Sequence, residues 1–528
     1  MTQITPAEEE SSSTIREPNN GVVRAAAVLA VGNVASRILG LARETVKANL
    51  FGPSGLLSAF EVASLVPISL FDLIIGGMVN SALVPVFSEI AEKRKDDLWG
   101  LLSTVLSLAT AVLILIVILV ELFTPQIAWV VGANEFTDVG LTAVAIRLMR
   151  LATPAVLFLS IASILTGALY ALKRFTLPAF VGAAFNATIV ASALIWRERI
   201  DSLVWGLLFG SVLQIVLQLP ALRDAHLRWQ FNWKHPAIRR ILWLYAPIVA
   251  GLVVNQLAVA FSFNLATRLG DQSVSYMKFA TTLTQFPLGL VVTAISIATL
   301  PTLSRLANGQ LDAFKETLAE GIRLVMALIL PATIGLFALA MPIVSLIFEH
   351  GKFSPQDTII TAKVLQVYLV GLPFAAVDQM LVFASYARKD TWRPALVGVV
   401  SIVVYSLTAV LLAPIINLFS LMAADAIKHI VHTAIMLWLL QRHLGGLTGR
   451  GVVTAVTKSL AAAVVTGLVA YGTAVWLLTP FPLTTFLHKL IVVGGAASAG
   501  LLAYILMVFL LDIREAKSLR HLLARRSA

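Results

Sequence analysis

The sequence predicts an all-α integral membrane protein of about 14 transmembrane helices, arranged as two six-helix lobes related by pseudo-two-fold symmetry plus two extra helices. Three observations predict it: the composition, the placement of basic residues, and an internal repeat. Of 528 residues, 58% are hydrophobic and 13% charged, against about 45–50% and about 25% in soluble domains. The mean hydropathy is +0.89. So few polar residues cannot cover the three or four soluble domains that this length would otherwise suggest. A helix needs about 20 apolar residues to cross the bilayer, and fourteen of them leave short loops and two tails.

The elements follow in order. Residues 1–20, rich in Ser and Glu, lack the charged-then-apolar order of a secretory signal and are expected to form a disordered cytoplasmic tail. Apolar segments then lie at 22–50, 57–88, 98–122, 140–171, 176–196, 203–222, 240–267, 273–303, 318–348, 357–387, 394–414, 417–440, 452–478 and 487–511. Several exceed the bilayer thickness, which implies tilt or extension beyond it. The segment 140–171 carries Arg147 and Arg150 in its first turns. Pro67, Pro85, Pro154, Pro247, Pro287, Pro301, Pro331, Pro342 and Pro373 interrupt the spans as candidate hinges, tolerated where neighbouring helices or water satisfy the freed carbonyls. The tail 513–528 interleaves Leu519, Leu522 and Leu523 with basic residues. It reads equally as an amphipathic helix on anionic headgroups or as a solvated tail.

Basic residues test this layout. With the N-terminus in the cytoplasm, the loops after even-numbered spans and the C-terminal tail carry twenty-two Lys and Arg, at 93–95, 173–174, 223–240, 305–315, 388–393, 442–450 and 514–526. The opposite loops carry five: Arg197, Arg199, Arg268, Lys352 and Lys489. Such an asymmetry places both termini in the cytoplasm. It accounts for most of the net charge of +11, so no nucleic-acid partner is expected. There is no cysteine, hence no disulfide, thiolate metal site or Cys nucleophile. No Gly-Lys-Ser/Thr phosphate loop, His-Glu-x-x-His or Gly-x-Ser-x-Gly is present. A transporter is therefore expected rather than an enzyme, with no metal or cofactor, driven by a monovalent cation, the membrane potential or its substrate gradient. A monomer is expected.

The repeat sets the halves. Phe51-Gly52-Pro53, Val66-Pro67 and Val84-Pro85-Val86-Phe87-Ser88 recur as Leu269-Gly270-Asp271, Phe286-Pro287 and Leu300-Pro301-Thr302-Leu303-Ser304, about 216 to 220 residues later. An offset of six spans keeps the membrane orientation, so the halves are parallel repeats. This divides the chain into an N-lobe (21–235, spans 1–6), a C-lobe (236–445, spans 7–12) and spans 13–14 (446–512). Two lobes meeting at a central cavity suit alternating access.

Charges inside the spans mark the candidate site. The first span contains Arg37, Arg43, Glu44 and Lys47. Arg43 and Lys47, four apart, share a helical face, and Arg37 lies partly off it. A charge at the bilayer centre costs about 2.5–3.5 kcal/mol on insertion scales. With one carboxylate against three cations, two are uncompensated and must face a water-filled cavity or a bound anion; Lys47 suits snorkelling equally. Glu61 and Asp72, eleven apart in span 2, fall on roughly one face, and Lys278 lies early in span 8. The candidate substrate-binding residues are Arg37, Arg43, Lys47 and Lys278. The candidate charge-balancing or ion-site residues are Glu44, Glu61 and Asp72. Elsewhere Asp378 lies in span 10, Asp425 and Lys428 are spaced to pair, His429 and His432 read as packed polar groups, and Arg323 and Lys363 as snorkelling side chains.

Together these residues resemble the MurJ/MviN family, the bacterial lipid II flippases of the multidrug/oligosaccharidyl-lipid/polysaccharide exporter superfamily, over nearly the whole chain. The resemblance rests on Ser36-Arg37-Ile38-Leu39-Gly40-Leu41-Ala42-Arg43-Glu44, Phe51-Gly52, Val84-Pro85, Arg174-Phe175 with Pro178-Ala179-Phe180, Gln218-Leu219-Pro220, Leu300-Pro301-Thr302-Leu303-Ser304, and Ile347-Phe348-Glu349-His350-Gly351-Lys352-Phe353. It implies transfer of lipid II or a similar polyprenyl-pyrophosphate glycolipid across the bacterial cytoplasmic membrane. It implies anion-binding roles for Arg37 and Arg43, and a groove for the polyprenyl tail at spans 13 and 14. The chain departs from the family where an Asp is usual and Ser58 stands, where span 2 is basic and Phe71 and Asp72 stand, and where an Arg is usual in span 8 and Thr282 stands. Glu61 and Lys278 are candidates to replace the missing acid and cation. A flippase for another polyprenyl-linked glycan, or a membrane scaffold for cell-envelope synthesis, is the alternative.

Overall fold

In the computed structural model, residues 20–93, 95–513 and 515 are described. The expected N-terminal tail and the basic C-terminal tail lie outside them but for a few residues. Among the described residues no strand forms. The first lobe comprises α1 (Asn20–Phe51), α2 (Gly55–Lys93), α3 (Asp97–Leu122), α4 (Val139–Ala171), α5 (Pro178–Ile195) and α6 (Asp201–Leu222). The second comprises α7 (Pro236–Arg268), α8 (Ser273–Leu306), α9 (Leu311–Ala338), α10 (Pro355–Ala387), α11 (Trp392–Ile416) and α12 (Phe419–Leu444). Then come α13 (Val452–Leu478) and α14 (Phe486–Leu510).

Twelve of these helices are long and apolar enough to cross a membrane, and α7, bent by 51° between Ala246 and Gly251, makes thirteen. Among the described residues this gives twelve to thirteen spans beside the expected count of about 14. α1 is 32 residues long, about 48 Å at 1.5 Å per residue, but stands outside that set. The apolar stretch expected as one span at 318–348 is two helices, α9 and a short helix Ala340–Phe348. A second short helix, Thr124–Val130, holds the matching place after α3.

Helix starts follow local chemistry. Ser54 accepts a bond from the Leu57 amide at 3.2 Å ahead of α2. Ser354 and Asp357 form a reciprocal capping box ahead of α10, with Pro355 in its first turn. Of the interior prolines expected as hinges, Pro287 and Pro247 lie at breaks, whereas Pro331 and Pro373 lie within unbroken helices. The π turn Leu288–Val292 of α8 follows Pro287 directly. α2 carries π turns at Asp72–Gly76 and Val79–Leu83. Proline removes a backbone donor and frees a carbonyl, and a wider turn absorbs the mismatch. Residues 72 and 288 are separated by the repeat offset, so both lobes are broken at one equivalent level.

The two lobes share an apolar core that includes Phe60 and Met149 from the first and Phe279 and Phe348 from the second. The lobes are not packed alike. α7 lies against α2 of the other lobe: Tyr245 donates to the Leu73 carbonyl at 2.7 Å, Arg240 meets Glu89 at 2.6 Å, and Ser69 donates to Gln256 at 2.9 Å. α13 packs on α9, and α14 on α13 through small residues such as Gly500 and Ala470. Lys489 pins α14 in place. It is 4% exposed and donates to the Ser345 and Glu349 carbonyls at 3.3 and 2.9 Å, capping the end of the short helix Ala340–Phe348.

Two sequence expectations meet their partners here. Arg323, expected to snorkel, is 14% exposed and bridges Glu316 at 3.2 Å and Glu515 at 2.8 Å. An acid within reach gives it a partner that helix position alone does not reveal. Asp425 and Lys428 pair as their spacing predicts, at 2.5 Å.

Candidate functional site

The cations of α1 stand in a row of alternating charges that runs from one lobe to the other. Arg43 donates through Nε and Nη2 to Glu44 Oε1 at 3.0 and 2.8 Å. Its Nη1 donates to Asn186 of α5 at 3.0 Å, and Asn186 donates to the Ser36 carbonyl at 3.1 Å. Glu44 Oε2 is 2.7 Å from Lys47 Nζ, and Lys47 also bonds Glu61 of α2. Glu61 Oε2 reaches Lys278 Nζ of α8 at 3.9 Å. The ends of the row, Arg43 and Lys278, are 27% and 39% exposed, while the side chains between them are 5% or less. Three cations against two carboxylates leave one positive charge, presented at those open ends.

Arg37 lies apart from this row. Among the described residues it makes no ion pair or side-chain hydrogen bond. Its guanidinium covers Gly289 in the π turn of α8, where a Cβ would come within 2.2 Å of Nη2. A glycine at the broken turn thus makes room for an unpaired cation. Neither Gly289 nor Asn186 is marked by the sequence reading, although a lone Asn in an apolar span was the available signal.

Two sequence assignments change. Lys47 neither snorkels nor lines an opening: it is 3% exposed, enclosed by Glu44 and Glu61 and 5.7 Å from the Phe60 ring. Asp72 does not join the row, and its side chain forms no ion pair among the described residues. An eleven-residue spacing returns to the same face but lies about 16 Å further along the helix, and Pro67 intervenes. Glu61 and Lys278, by contrast, lie 3.9 Å apart.

The site sits where the halves meet. Glu61 and Lys278 are 217 positions apart, as are Ser58 and Ser275, which share a hydrogen bond of 2.9 Å, so residues separated by close to the repeat offset touch across the boundary between the lobes. The same end is clamped twice. The Lys352 amide donates to the Asn49 carbonyl at 2.9 Å, and Asn264 donates to the Trp129 and Val130 carbonyls at 3.2 Å each. The first helix of each lobe thereby grips the glycine turn of the other. Gly351 (φ +59°) and Gly132 (φ +86°) are required there: a Cβ would lie 2.0 Å from Asn49 Oδ1 and 2.4 Å from Asn264 Cα respectively.

Gly351→Ala is therefore expected to part the lobes at this end. Ser275 is fully buried there, and the chain has no native cysteine. In a Ser275→Cys background, labelling by a water-soluble maleimide should rise at least about tenfold, the factor that about 1.4 kcal/mol of lost latch energy produces. Unchanged labelling would refute the latch. Outside the spans, Arg174 pairs with Asp224 at 2.6 and 2.8 Å, and that carboxylate raises the arginine's proton affinity further.

Comparison with known proteins follows from this geometry. A family model described as lipid II flippase MurJ matches residues 47–493. The chain is 29% identical over 398 residues to the lipid II flippase MurJ of Burkholderia cenocepacia, covering 72% of this chain and 76% of that one. It is 27% identical over 514 residues to the probable lipid II flippase MurJ of Vibrio cholerae, covering 93% and 97%. A solved structure of lipid II flippase MurJ in an inward closed conformation superposes with a TM-score of 0.74 at 22% identity, covering 92% of this chain and 99% of that one. An inward-facing multidrug resistance MATE family transporter of the MOP superfamily superposes with a TM-score of 0.65 at 12% identity, covering 78% and 94%. At these identities the structural likenesses establish the fold.

Proposed function

Because this chain belongs to the lipid II flippase MurJ family, a family of transporters and not of enzymes, we propose that it carries lipid II from the inner to the outer leaflet of the cytoplasmic membrane by alternating access. The observations that carry this reading are the open ends of the charge row, Arg43 and Lys278, where the two lobes meet, and Arg37, which has no ion pair among the described residues and covers Gly289 of α8. A pyrophosphate brings several negative charges and planar sets of oxygens. Arginine forks match that geometry with paired charge-assisted bonds, and an ammonium adds a point charge. Arg37, Arg43 and Lys278 are the binding cations in this scheme. Glu44, Glu61 and the enclosed Lys47 hold Arg43 and Lys278 in place. The breaks in α2 and α8 are the hinges, and the apolar faces of α13 and α14 receive the polyprenyl tail. Both termini lie in the cytoplasm.

A second reading, a flippase for another polyprenyl-linked glycan, is favoured by Ser58 and Thr282 standing where the family carries an acid and an arginine. Both readings share the pyrophosphate chemistry and differ in the sugar. Expression in a host depleted of its own flippase separates them. Growth and outer-leaflet lipid II are expected to return. A well-expressed chain that restores neither would overturn lipid II as the substrate.

A further inference from the structure

Five ionisable side chains that the substrate site does not use stand together inside the second lobe. On α12, Asp425, Lys428, His429 and His432 recur at helical spacing and share one face. Asp425 lies 2.5 Å from Lys428 Nζ and 3.7 Å from His429 Nε2. One turn on, His432 Nδ1 bonds Asp378 of α10, and these two side chains are 12% and 16% exposed. Around them, α11 contributes Tyr405, whose ring is 5.7 Å from Lys428 Nζ and whose hydroxyl donates to Ser262 of α7 at 2.7 Å. On α10, Tyr368 lies near Asp425 and Tyr386 near Asp378. α8 offers hydroxyls here: Thr293 receives a bond from Gln379 at 3.1 Å, and Ser296 contacts Met380 Sδ at 3.1 Å. On α9, Glu316 and Arg323 are engaged with Arg450 and Glu515 instead.

The charges in this cluster do not balance. Two carboxylates face one ammonium, so with both imidazoles neutral the cluster is left negative inside a membrane-spanning lobe, where uncompensated charge is costly. One proton makes it neutral. At His429 that proton would share a carboxylate with the Lys428 ammonium and meet a like charge. At His432 it lies between the ring and a carboxylate of its own. At the corresponding crossing in the first lobe, α4 with α6, the bonded pair is Thr166 and Gln218, which cannot titrate.

We propose that Asp378 and His432 form a proton-binding site whose occupancy is linked to the movement of the lobes, so that a proton is the coupling cation. The linkage has a physical route. Gln379, adjacent to Asp378, bonds Thr293 immediately after the π turn Leu288–Val292, the turn on which Arg37 packs. The coupling role rests on the transport reading above, but its test needs no lipid substrate.

Spin labels at Arg223→Cys and Arg388→Cys, exposed positions in the two lobes of a chain without native cysteine, report the separation of the basic ends in lipid nanodiscs. The wild-type distance distribution should shift between two populations from pH 5 to pH 8 along a one-proton curve, and sodium at constant pH should not move it. Asp378→Asn and His432→Gln, which keep hydrogen-bonding capacity, should each flatten that curve, while His429→Gln should retain it. A distribution independent of pH in the wild type, or a response that survives both variants, would overturn the site. Failure to rescue a flippase-depleted host would bear on lipid II alone and leave this result standing.

Discussion

Arg43→Ala should abolish outer-leaflet delivery of lipid II while the protein still reaches the membrane in normal amount. Arg43 is the open end of the charge row, 27% exposed, so its loss exposes no hidden apolar surface. Glu44 keeps Lys47 as a counter-ion at 2.7 Å, and with Lys278 the remaining row holds two cations against two carboxylates. What is lost is the guanidinium fork aligned by Glu44 and Asn186. Hydrogen bonds to charged groups contribute about 1.5–3 kcal/mol each, so two lost contacts to a pyrophosphate amount to at least a hundredfold in occupancy. Arg43→Lys keeps the charge without the fork and should transport at an intermediate rate. The measurement is outer-leaflet lipid II in a flippase-depleted host, normalised to membrane abundance. Wild-type delivery by Arg43→Ala would remove this residue from the mechanism.

Lys47→Met should behave in the opposite way, with stability failing first. Its ammonium, 3% exposed, is shared by Glu44 and Glu61. Methionine fills a similar volume but leaves two enclosed carboxylates short of a counter-ion. Breaking a buried pair from one side costs about 3–5 kcal/mol. A large fall in Tm in detergent, with reduced membrane abundance, is expected. Adding Glu61→Gln should recover much of the loss, because Glu44 retains Arg43 and only Glu61 depended on Lys47 at this short range. A Lys47→Met protein of normal Tm that cannot transport would make Lys47 a substrate ligand and disprove the supporting role.

These contrasting outcomes show how legible the site was. That α1 holds a group of cations is plain from sequence, because charged residues in an apolar segment stand out one by one. That Glu61 and Lys278 meet was reachable too, since they differ by the repeat offset. The fate of Lys47 was not. Snorkelling and enclosure give the same linear pattern, and the choice depends on an acid from α2. Asp72 shows the reverse error: helical periodicity sets it on roughly the face of Glu61 but is silent about distance along the axis and about the break that begins at Asp72. The Gly351 and Gly132 turns were visible as residues in loops, yet their use as cross-lobe clamps depends on Asn49 and Asn264, far away in the chain.

The sequence by itself determined membrane residence, the order of the helices, the duplication of the lobes and the excess of cations on α1. Hydropathy, proline breaks and a fixed offset are properties of short stretches and survive in one dimension. Only the tertiary structure decided which cations are free to meet an anion. Arg43 is aligned by Asn186, 143 residues away, Lys47 is enclosed by Glu61, and Arg37, without an ion pair among the described residues, covers a glycine of α8. A charge in a membrane protein is spent or available according to what other helices bring within about 4 Å of it, and that neighbourhood exists only once the lobes have folded together.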